Sequence, residues 1–246
     1  MSGIAIYDSS MIRYEYENGL ARQRILAETS PDIDLVMGAL QAGCTWDPEI
    51  FSEEDKMQIF VFTGGCGIVR SGNRIFSIDE QSVFIPDFDR EEVQICAGEE
   101  ELRFIHIVGP MIDVDRRQMK HCHYILPRFV RFSESIRYTE RFTQESGAKV
   151  WQHSVIAGRH LGRYTMGWVI GEGPDFVGQH VHPSLEQWYF MLDGADFIYH
   201  AGDKAIPVKE GDVSFTPHGT YHGSECTEDG FINYLWFELN RAWEML

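Results

Sequence analysis

HVHPSLEQWYFMLDG, residues 180–194 of the chain, places two histidines one residue apart ahead of a run of large apolar residues. In a strand, the side chains of residues i and i+2 face the same side of the sheet, so His180 and His182 are predicted to share one face. A second stretch, GDVSFTPHGTYH (residues 211–222), leads a short strand into a Pro-x-Gly turn and ends on His222. Because imidazole is a good ligand for divalent transition metals, the three histidines predict a metal site.

Two neighbouring residues are candidates for a fourth, oxygen ligand. Glu186 and Gln187 lie on opposite faces of a regular strand, so only one of them can reach a metal held by the histidines. Gln187 stands seven residues before Gly194, and Gln58 stands seven residues before Gly65 in a similar stretch of the first half. This repeated spacing favours Gln187, with Glu186 as the alternative.

The two halves of the chain resemble each other. Residues 58–65 (QIFVFTGG) align with residues 187–194 (QWYFMLDG), and residues 80–86 (EQSVFIP) align with residues 211–217 (GDVSFTP). Short β-branched and aromatic runs bounded by Gly, Asp, Asn and Pro recur throughout, which is typical of sandwiches and barrels. Self-similarity at about half the chain length predicts a duplicated all-β domain.

These repeats divide the chain into three parts. We expect a first barrel over residues 1–112, a partly irregular linker over residues 113–152, and a second barrel over residues 153–246. The best helical candidate covers residues 111–149, which are rich in charge and poor in period-2 alternation.

The two histidine-bearing stretches resemble the two motifs of the cupin superfamily. The first motif is Gly, five residues, HxH, three or four residues, Glu, six residues and Gly; the second is Gly, five residues, Pro-x-Gly, two residues and His. The sequence departs from them in that Gly173 lies one residue too early and Cys226 stands at the usual final Asn. The resemblance implies tandem jelly-roll (double-stranded β-helix) barrels, a bicupin. It implies metal ligands at His180, His182, His222 and the acidic position, and some cupins use three His and one Gln.

The first half does not repeat these ligands. Its counterparts of His180 and His182 are Ile50 and Ser52 or their neighbours, and its counterpart of His222 is Glu91. One oxygen ligand cannot replace three imidazoles. We therefore expect a degenerate first barrel that serves as a scaffold, and one metal ion per chain, held by the second barrel.

The composition excludes several classes of partner. The 246 residues include 21 Lys and Arg against 38 Asp and Glu, a formal net charge of −17. Such a surface repels phosphate backbones and anionic lipids, so neither nucleic acid nor a membrane surface is an expected partner. No apolar run approaches the ~20 residues that span a bilayer, and the amino terminus lacks the pattern of a signal peptide. We therefore expect a cytoplasmic protein.

Cysteine is not the expected metal ligand. The five cysteines are odd in number and widely spaced and include no CxxC pair: Cys44, Cys66, Cys96, Cys122 and Cys226. This pattern predicts reduced, buried thiols rather than a disulfide framework or a thiolate zinc site.

The expected ligands indicate a chemistry. A metal ion (Mn, Fe, Zn, Ni or Co) bound by three neutral imidazoles and a neutral amide keeps its full double charge and polarises a carbonyl or hydroxyl strongly. With the resemblance, this favours an isomerase or lyase that stabilises an enolate or enediolate of a small oxo acid, hydroxy acid or sugar acid. An Fe(II)-dependent dioxygenase and a non-catalytic small-molecule binding bicupin are the alternatives.

One further residue is a candidate for catalysis. Tyr189 lies two residues after Gln187 and should face the same interior, where its hydroxyl is a candidate for proton transfer or substrate binding; a packed aromatic side chain is the alternative. Barrels of this kind also expose edge strands that need covering, so we expect a homodimer or a larger homo-oligomer.

Overall fold

The computed structural model describes residues 3–139 and 149–242, and the chain forms two compact units. The first barrel comprises Ile12–Arg116 and His123–Glu134. The second barrel comprises the described residues of Met1–Met11, Arg117–Cys122 and Ser135–Leu246. Both are built from antiparallel strands, so the expected all-β fold of two barrels is confirmed.

The strands of the first barrel form two sheets. They are β2 (Tyr16–Glu17), β3 (Leu20–Ile25), β4 (Asp34–Leu40), β5 (Thr45–Trp46), β6 (Lys56–Gly64), β7 (Gly67–Ser71), β8 (Arg74–Ile78), β9 (Ser82–Ile85), β10 (Val93–Ala97), β11 (Leu102–Pro110) and β12 (Arg128–Arg131). One sheet has the order β12-β9-β6-β11-β4-β3-β2 and the other the order β5-β10-β7-β8. Phe60, Phe84 and Phe104 pack in the core between them.

The strands of the second barrel are joined into one large sheet. They are β1 (Ala5–Tyr7), β13 (Ile136–Tyr138), β14 (Val150–Leu161), β15 (Tyr164–Glu172), β16 (Asp175–His180), β17 (Leu185–Met191), β18 (Asp196–Ala201), β19 (Lys204–Lys209), β20 (Val213–Thr216), β21 (His222–Cys226) and β22 (Phe231–Asn240). Its main path is β1-β20-β17-β22-β15-β14-β13, and β18 links β22 to β19, β21 and, through β21, β16. Tyr189, Tyr199 and Tyr234 belong to its core.

The compact units differ from the domain division expected from sequence. Strand β1 pairs with β20, with Ala5 opposite Phe215, so the amino-terminal residues belong to the second barrel. The expected linker is divided between the units, because β12 pairs with β9 in the first barrel and β13 pairs with β14 in the second. A strand satisfies its backbone groups at whichever sheet edge it reaches, and local sequence does not specify that edge.

The expected helix is short. Helix α1 covers Asp113–Cys122, with two acidic residues in its first turn and Lys120 and His121 in its last, a distribution that complements the helix dipole. Residues 140–148 of the predicted helical segment lie outside the described residues. Across the described part of the chain, no helix has the length and apolar character that crossing a membrane requires.

The cysteines are free, as expected, but most are not buried. Cys226 is buried, whereas Cys44, Cys66, Cys96 and Cys122 are only partly buried. The prediction of buried thiols was therefore wrong for four of the five. Cys44 packs against the core of the first barrel without being enclosed by it, and Cys122 ends helix α1.

Candidate metal centre

Three histidines of the second barrel converge at one point. His180 ends β16, His222 begins β21 directly opposite it, and His182 lies in the connection to β17. Their ligand nitrogens all lie within 4.8 Å of one another, and among the described residues this is the single group of three or more His, Cys, Asp or Glu that meets this limit. The sequence analysis placed His180 and His182 on one regular strand. In the structure, β16 ends at His180 after a register shift, so strand alternation does not bring these two side chains together.

Backbone carbonyls set the tautomer of two of these imidazoles. The Nδ1 atom of His180 lies 2.8 Å from the carbonyl oxygen of Gly178, and that of His222 lies 2.9 Å from the carbonyl oxygen of Thr220. A carbonyl oxygen can only accept a hydrogen bond, so both Nδ1 atoms carry the proton. Each Nε2 atom then keeps its lone pair, as a metal ligand requires.

Burial keeps the three imidazoles neutral. Desolvation, together with a smaller effect of the neighbouring imidazoles, lowers the pKa of His182 to about 4 and that of His222 to about 3. Desolvation also lowers the pKa of His180 below its usual value. Because only the neutral imidazole binds a metal, these shifts make the cluster competent for metal binding at neutral pH.

The side-chain amide of Gln187 is half satisfied. Its Nε2 atom donates a 2.8 Å hydrogen bond to Oε1 of Glu238, which leaves the amide oxygen as the free end. That oxygen and Nε2 of His222 are both buried without a hydrogen-bond partner. A buried acceptor without a partner costs about 1–3 kcal/mol, and a metal ion would satisfy both atoms. The three histidines and Gln187 therefore fit a metal ion.

Glu186 lies outside this arrangement. Its Oε2 atom accepts a 2.6 Å hydrogen bond from the guanidinium of Arg241. The cavity beside the histidines has Gln187 but not Glu186 in its wall. Adjacent residues of a strand face opposite sides, so Gln187 faces the cavity beside the histidines and Glu186 faces away from it.

The histidines open into a cavity of about 230 Å³. Its wall combines apolar, aromatic and polar side chains: Val169, Val177, Leu185, Tyr138, Tyr189, Tyr234, Trp236, Gln152, Gln187 and Glu238. Gly167 lets Trp236 take its place there, since a Cβ atom at Gly167 would lie only 2.2 Å from the indole. A space of this size holds a small metabolite.

Tyr189 faces the cavity, as expected, and is tightly packed. Its ring stacks on that of Tyr234 at a centroid distance of 4.2 Å and meets the imidazole of His222 edge-on at 6.1 Å. Burial and the neighbouring phenols raise its pKa well above the usual tyrosine range. Tyr189 is therefore a hydrogen-bond donor at neutral pH and not a base.

Sequence analysis missed Glu238. Its carboxylate accepts a hydrogen bond on each oxygen, at 2.8 Å from Nε2 of Gln187 and at 3.0 Å from Oγ1 of Thr165. Its Oε1 atom also lies 3.8 Å from Nε2 of His182. The sequence signal that could have identified Glu238 is the strand FINYLWFEL, in which Glu238 shares a face with Tyr234 and Trp236.

Residues 168–238 match the family model of the cupin domain. The curated oxalate-binding protein of Thermotoga maritima is 36% identical over 59 residues, which are 24% of this chain and 48% of that protein. The chain thus spans about half the length of this relative.

Solved structures extend the likeness to the whole chain. A glyoxylate-induced protein from Pseudomonas aeruginosa has a TM-score of 0.79 at 12% identity, covering 98% of this chain and 91% of that one. A point mutant of Bacillus subtilis oxalate decarboxylase has a TM-score of 0.72 at 12% identity, with 98% and 78% covered. The formate complex of Lactobacillus farciminis oxalate decarboxylase has a TM-score of 0.72 at 11% identity, with 98% and 87% covered. The family match therefore identifies a cupin domain within the second barrel, and the chain as a whole shares the two-barrel fold of these solved structures.

Proposed function

We propose that the second barrel holds one divalent transition metal ion through His180, His182, His222 and the amide oxygen of Gln187. The observation that carries the proposal is the pair of buried, unpartnered acceptors, Gln187 Oε1 and His222 Nε2, beside two further neutral imidazoles. The ion is Mn, Fe, Zn, Ni or Co, since nitrogen and neutral oxygen ligands accommodate all five.

We propose further that the protein is an enzyme, a lyase or isomerase that acts on a small oxo acid, hydroxy acid or sugar acid. When bound, the metal ion supplies Lewis-acid polarisation of a substrate carbonyl or hydroxyl. The small cavity and its polar groups support a compact substrate. The likeness in fold to solved oxalate decarboxylases supports a lyase.

The side chains of the cavity have separable roles in this proposal. The phenol of Tyr189 stays protonated through burial and donates to the hydroxyl of Tyr234; in this proposal it donates to the substrate instead when the ligand enters the cavity. Glu238 holds the nitrogen of the Gln187 amide, which directs the amide oxygen away from it. Val169, Val177 and Leu185 line the cavity with apolar surface and exclude water.

The metal proposal is tested by titrating chelator-treated protein with each of the five metal ions and measuring the bound metal. We expect one equivalent per chain, lost in His182→Ala and kept in His200→Ala. His200 is the matched control because it lies in the same barrel but pairs with Glu225 on the outside. Stoichiometric binding that survives His182→Ala would refute the site.

The reaction class is tested by NMR in deuterated water with a panel of small hydroxy and oxo acids. A lyase or isomerase of the proposed kind either exchanges the hydrogen on the carbon next to the carboxylate for deuterium or cleaves a bond at that carbon. Tyr189→Phe should slow this step. Oxygen uptake by the Fe(II)-loaded protein without any exchange would instead identify a dioxygenase.

A non-catalytic binding protein is the second candidate. The match to a protein named for binding oxalate supports it. It predicts that a small acid stays bound and unchanged after prolonged incubation with the metal-loaded protein, as judged by mass spectrometry of the recovered ligand. Turnover of that ligand would exclude it.

Assembly and location remain predictions. We expect a homodimer or larger homo-oligomer in the cytoplasm. Light scattering that gives the single-chain mass of 28.3 kDa at all micromolar concentrations would contradict the assembly.

A further inference from the structure

Gln152 of β14 is a buried amide in the wall of the second barrel's cavity. The residue is 3% exposed and lines the cavity. In the part of the chain that the structure describes, no hydrogen bond joins its side chain to another residue. A carboxamide has two N–H donors and an oxygen acceptor, and buried polar groups in proteins are as a rule hydrogen-bonded. A ligand in the cavity would supply the partner that the protein does not.

The register of the strands separates Gln152 from the proposed metal ligands. Across β15, Gln152 is level with Tyr234 of β22. The proposed ligand Gln187 is level with Glu238, four residues further along β22. Nε2 of His182 lies 3.8 Å from the carboxylate of Glu238, which places the histidines at that end of the cavity. Gln152 therefore stands two strands aside from Glu238 and four residues along, roughly 10 Å and roughly 13 Å on a flat sheet.

An indole lies between Gln152 and the metal end of the cavity. Gly167 of β15 pairs with Trp236 of β22 and lies midway between Gln152 and Glu238 in the strand register. A Cβ atom at Gly167 would lie 2.2 Å from the indole, so the ring of Trp236 covers β15 at this point. The indole gives the wall an apolar surface, against which the carbon chain of a ligand can pack between two polar ends.

The chemistry of the wall selects the group that Gln152 binds. No Lys or Arg is among the described residues that line this cavity. A second carboxylate of a ligand, placed beside Gln152, would be buried without a counter-charge, which is unfavourable. A hydroxyl group matches the amide, since it can donate to Oε1 and accept from Nε2.

We propose that Gln152 is a specificity-determining residue that hydrogen-bonds a hydroxyl group of the ligand remote from its metal-bound end, and that the ligand is a sugar acid. The inference deepens the proposed function and rests on its metal site, but it selects one of the substrate classes. A two-carbon acid has a single C–C bond of about 1.5 Å and cannot extend from the metal to Gln152. An acid with a hydroxylated carbon chain can meet both ends of the cavity.

The test is calorimetric titration of the Mn²⁺-loaded protein with arabinonate, gluconate and galactonate, and with glycolate and 2-hydroxyhexanoate for comparison. All five carry the same 2-hydroxy acid group for the metal, and 2-hydroxyhexanoate has the chain length of a sugar acid without its remote hydroxyl groups. We expect at least one sugar acid to bind about tenfold more tightly than 2-hydroxyhexanoate, the scale of one or two hydrogen bonds.

Two failures are distinguishable in this experiment. If glycolate and 2-hydroxyhexanoate bind but no sugar acid exceeds 2-hydroxyhexanoate, the inference is overturned and the proposed function stands. If none of the five acids binds, the proposed class of substrate fails, and the inference fails with it. Metal binding is measured separately in both cases.

Gln152→Leu assigns the preference to the amide. It removes both polar atoms at nearly the same side-chain size, so we expect the ratio of sugar-acid to 2-hydroxyhexanoate affinity to fall by about tenfold. Removing a buried amide that has no partner should also leave the Tm of the ligand-free protein unchanged or raise it. A ratio that survives Gln152→Leu, or a lowered Tm, would overturn the inference, since the lowered Tm would mean that the amide serves the fold.

The matched control is Gln58→Leu in the first barrel. Gln58 is also buried, but its amide is paired with the carbonyl oxygen of Glu49 and with Nε2 of His106. We expect this variant to lower the Tm and to leave the ratio of affinities unchanged. A ratio that falls as far in Gln58→Leu as in Gln152→Leu would mean that a general loosening of the protein sets the preference, and would also overturn the inference.

Discussion

The two barrels place a glutamine at the same point of the same strand and use it differently. In the first barrel, Nε2 of Gln58 donates to the carbonyl oxygen of Glu49 at 3.2 Å, and its Oε1 lies 3.0 Å from Nε2 of His106. In the second barrel, Nε2 of Gln187 donates a hydrogen bond to Glu238, and Oε1 of Gln187 has no hydrogen-bond partner. A satisfied amide stabilises a core, whereas a half-satisfied one beside neutral imidazoles is available to a metal.

The strand opposite each glutamine accounts for the difference. Val108 pairs with Gln58 across β6 and β11, whereas Glu238 pairs with Gln187 across β17 and β22. Two residues further along both strands, His106 stacks on Phe60 at a centroid distance of 4.4 Å. Aromatic and imidazole rings therefore pack around Gln58 and His106 in the first barrel, whereas Gln187 of the second barrel borders a cavity.

The largest expected effect on metal affinity comes from replacing His222, the most buried of the proposed ligands in the second barrel. His222→Ala removes one of three imidazoles, and we expect the affinity for Mn²⁺ to fall by a hundredfold or more. His106→Ala, which deletes the buried histidine of the first barrel, should leave that affinity unchanged. Metal titration of the two variants checks this, and affinity lost in His106→Ala but kept in His222→Ala would show that the metal site was assigned to the wrong barrel.

The next effect separates the two glutamines. Gln187→Ala should weaken metal binding by roughly 10–100-fold through loss of an oxygen ligand, while Glu186→Ala leaves it nearly unchanged. Gln58→Ala should leave metal binding intact but lower the free energy of unfolding by about 1–3 kcal/mol, because His106 loses its partner. Titration and denaturant unfolding of all three variants test this; affinity lost in Glu186→Ala and kept in Gln187→Ala would reverse the assignment.

Lowering the pH should destabilise the first barrel through protonation of His106. Burial lowers its pKa to about 3, whereas the imidazole of the unfolded chain has a pKa of about 6.5. The folded state therefore binds fewer protons between these values, and the free energy of unfolding declines as the pH falls through that window, by roughly 2 kcal/mol at pH 5. His106→Phe should remove this part of the pH dependence. Unfolding curves at pH 7 and pH 5 measure it, and an equal loss in both proteins would contradict it.

The smallest effect comes from making the second interior resemble the first. Phe60 stands two residues after Gln58, as Tyr189 stands two residues after Gln187. Tyr189→Phe keeps the stacking on Tyr234 and removes only a hydroxyl, so we expect ligand affinity or turnover to fall by tenfold or less, with metal affinity unchanged. A loss of metal binding would show instead that the hydroxyl supports the ligands.

Part of the candidate site was predictable because its signals are local. The HxH pair and the Pro-x-Gly turn before His222 lie within single short stretches. Gln187 followed from its distance to a turn glycine, and Gly194 does adopt a positive φ of 70°. Strand periodicity alone then placed Tyr189 on the same face as Gln187.

What the sequence determined by itself was the strand content, the duplication and the three histidines, since each depends on residues that are neighbours in the chain. Tertiary structure alone decided that Glu238 lies beside Gln187, 51 residues away in sequence, and that Gln58 meets His106. It also decided that β1 joins the second barrel. The physical reason is register: a strand's own sequence sets which residues share a face, but the residue across the sheet depends on how distant segments align.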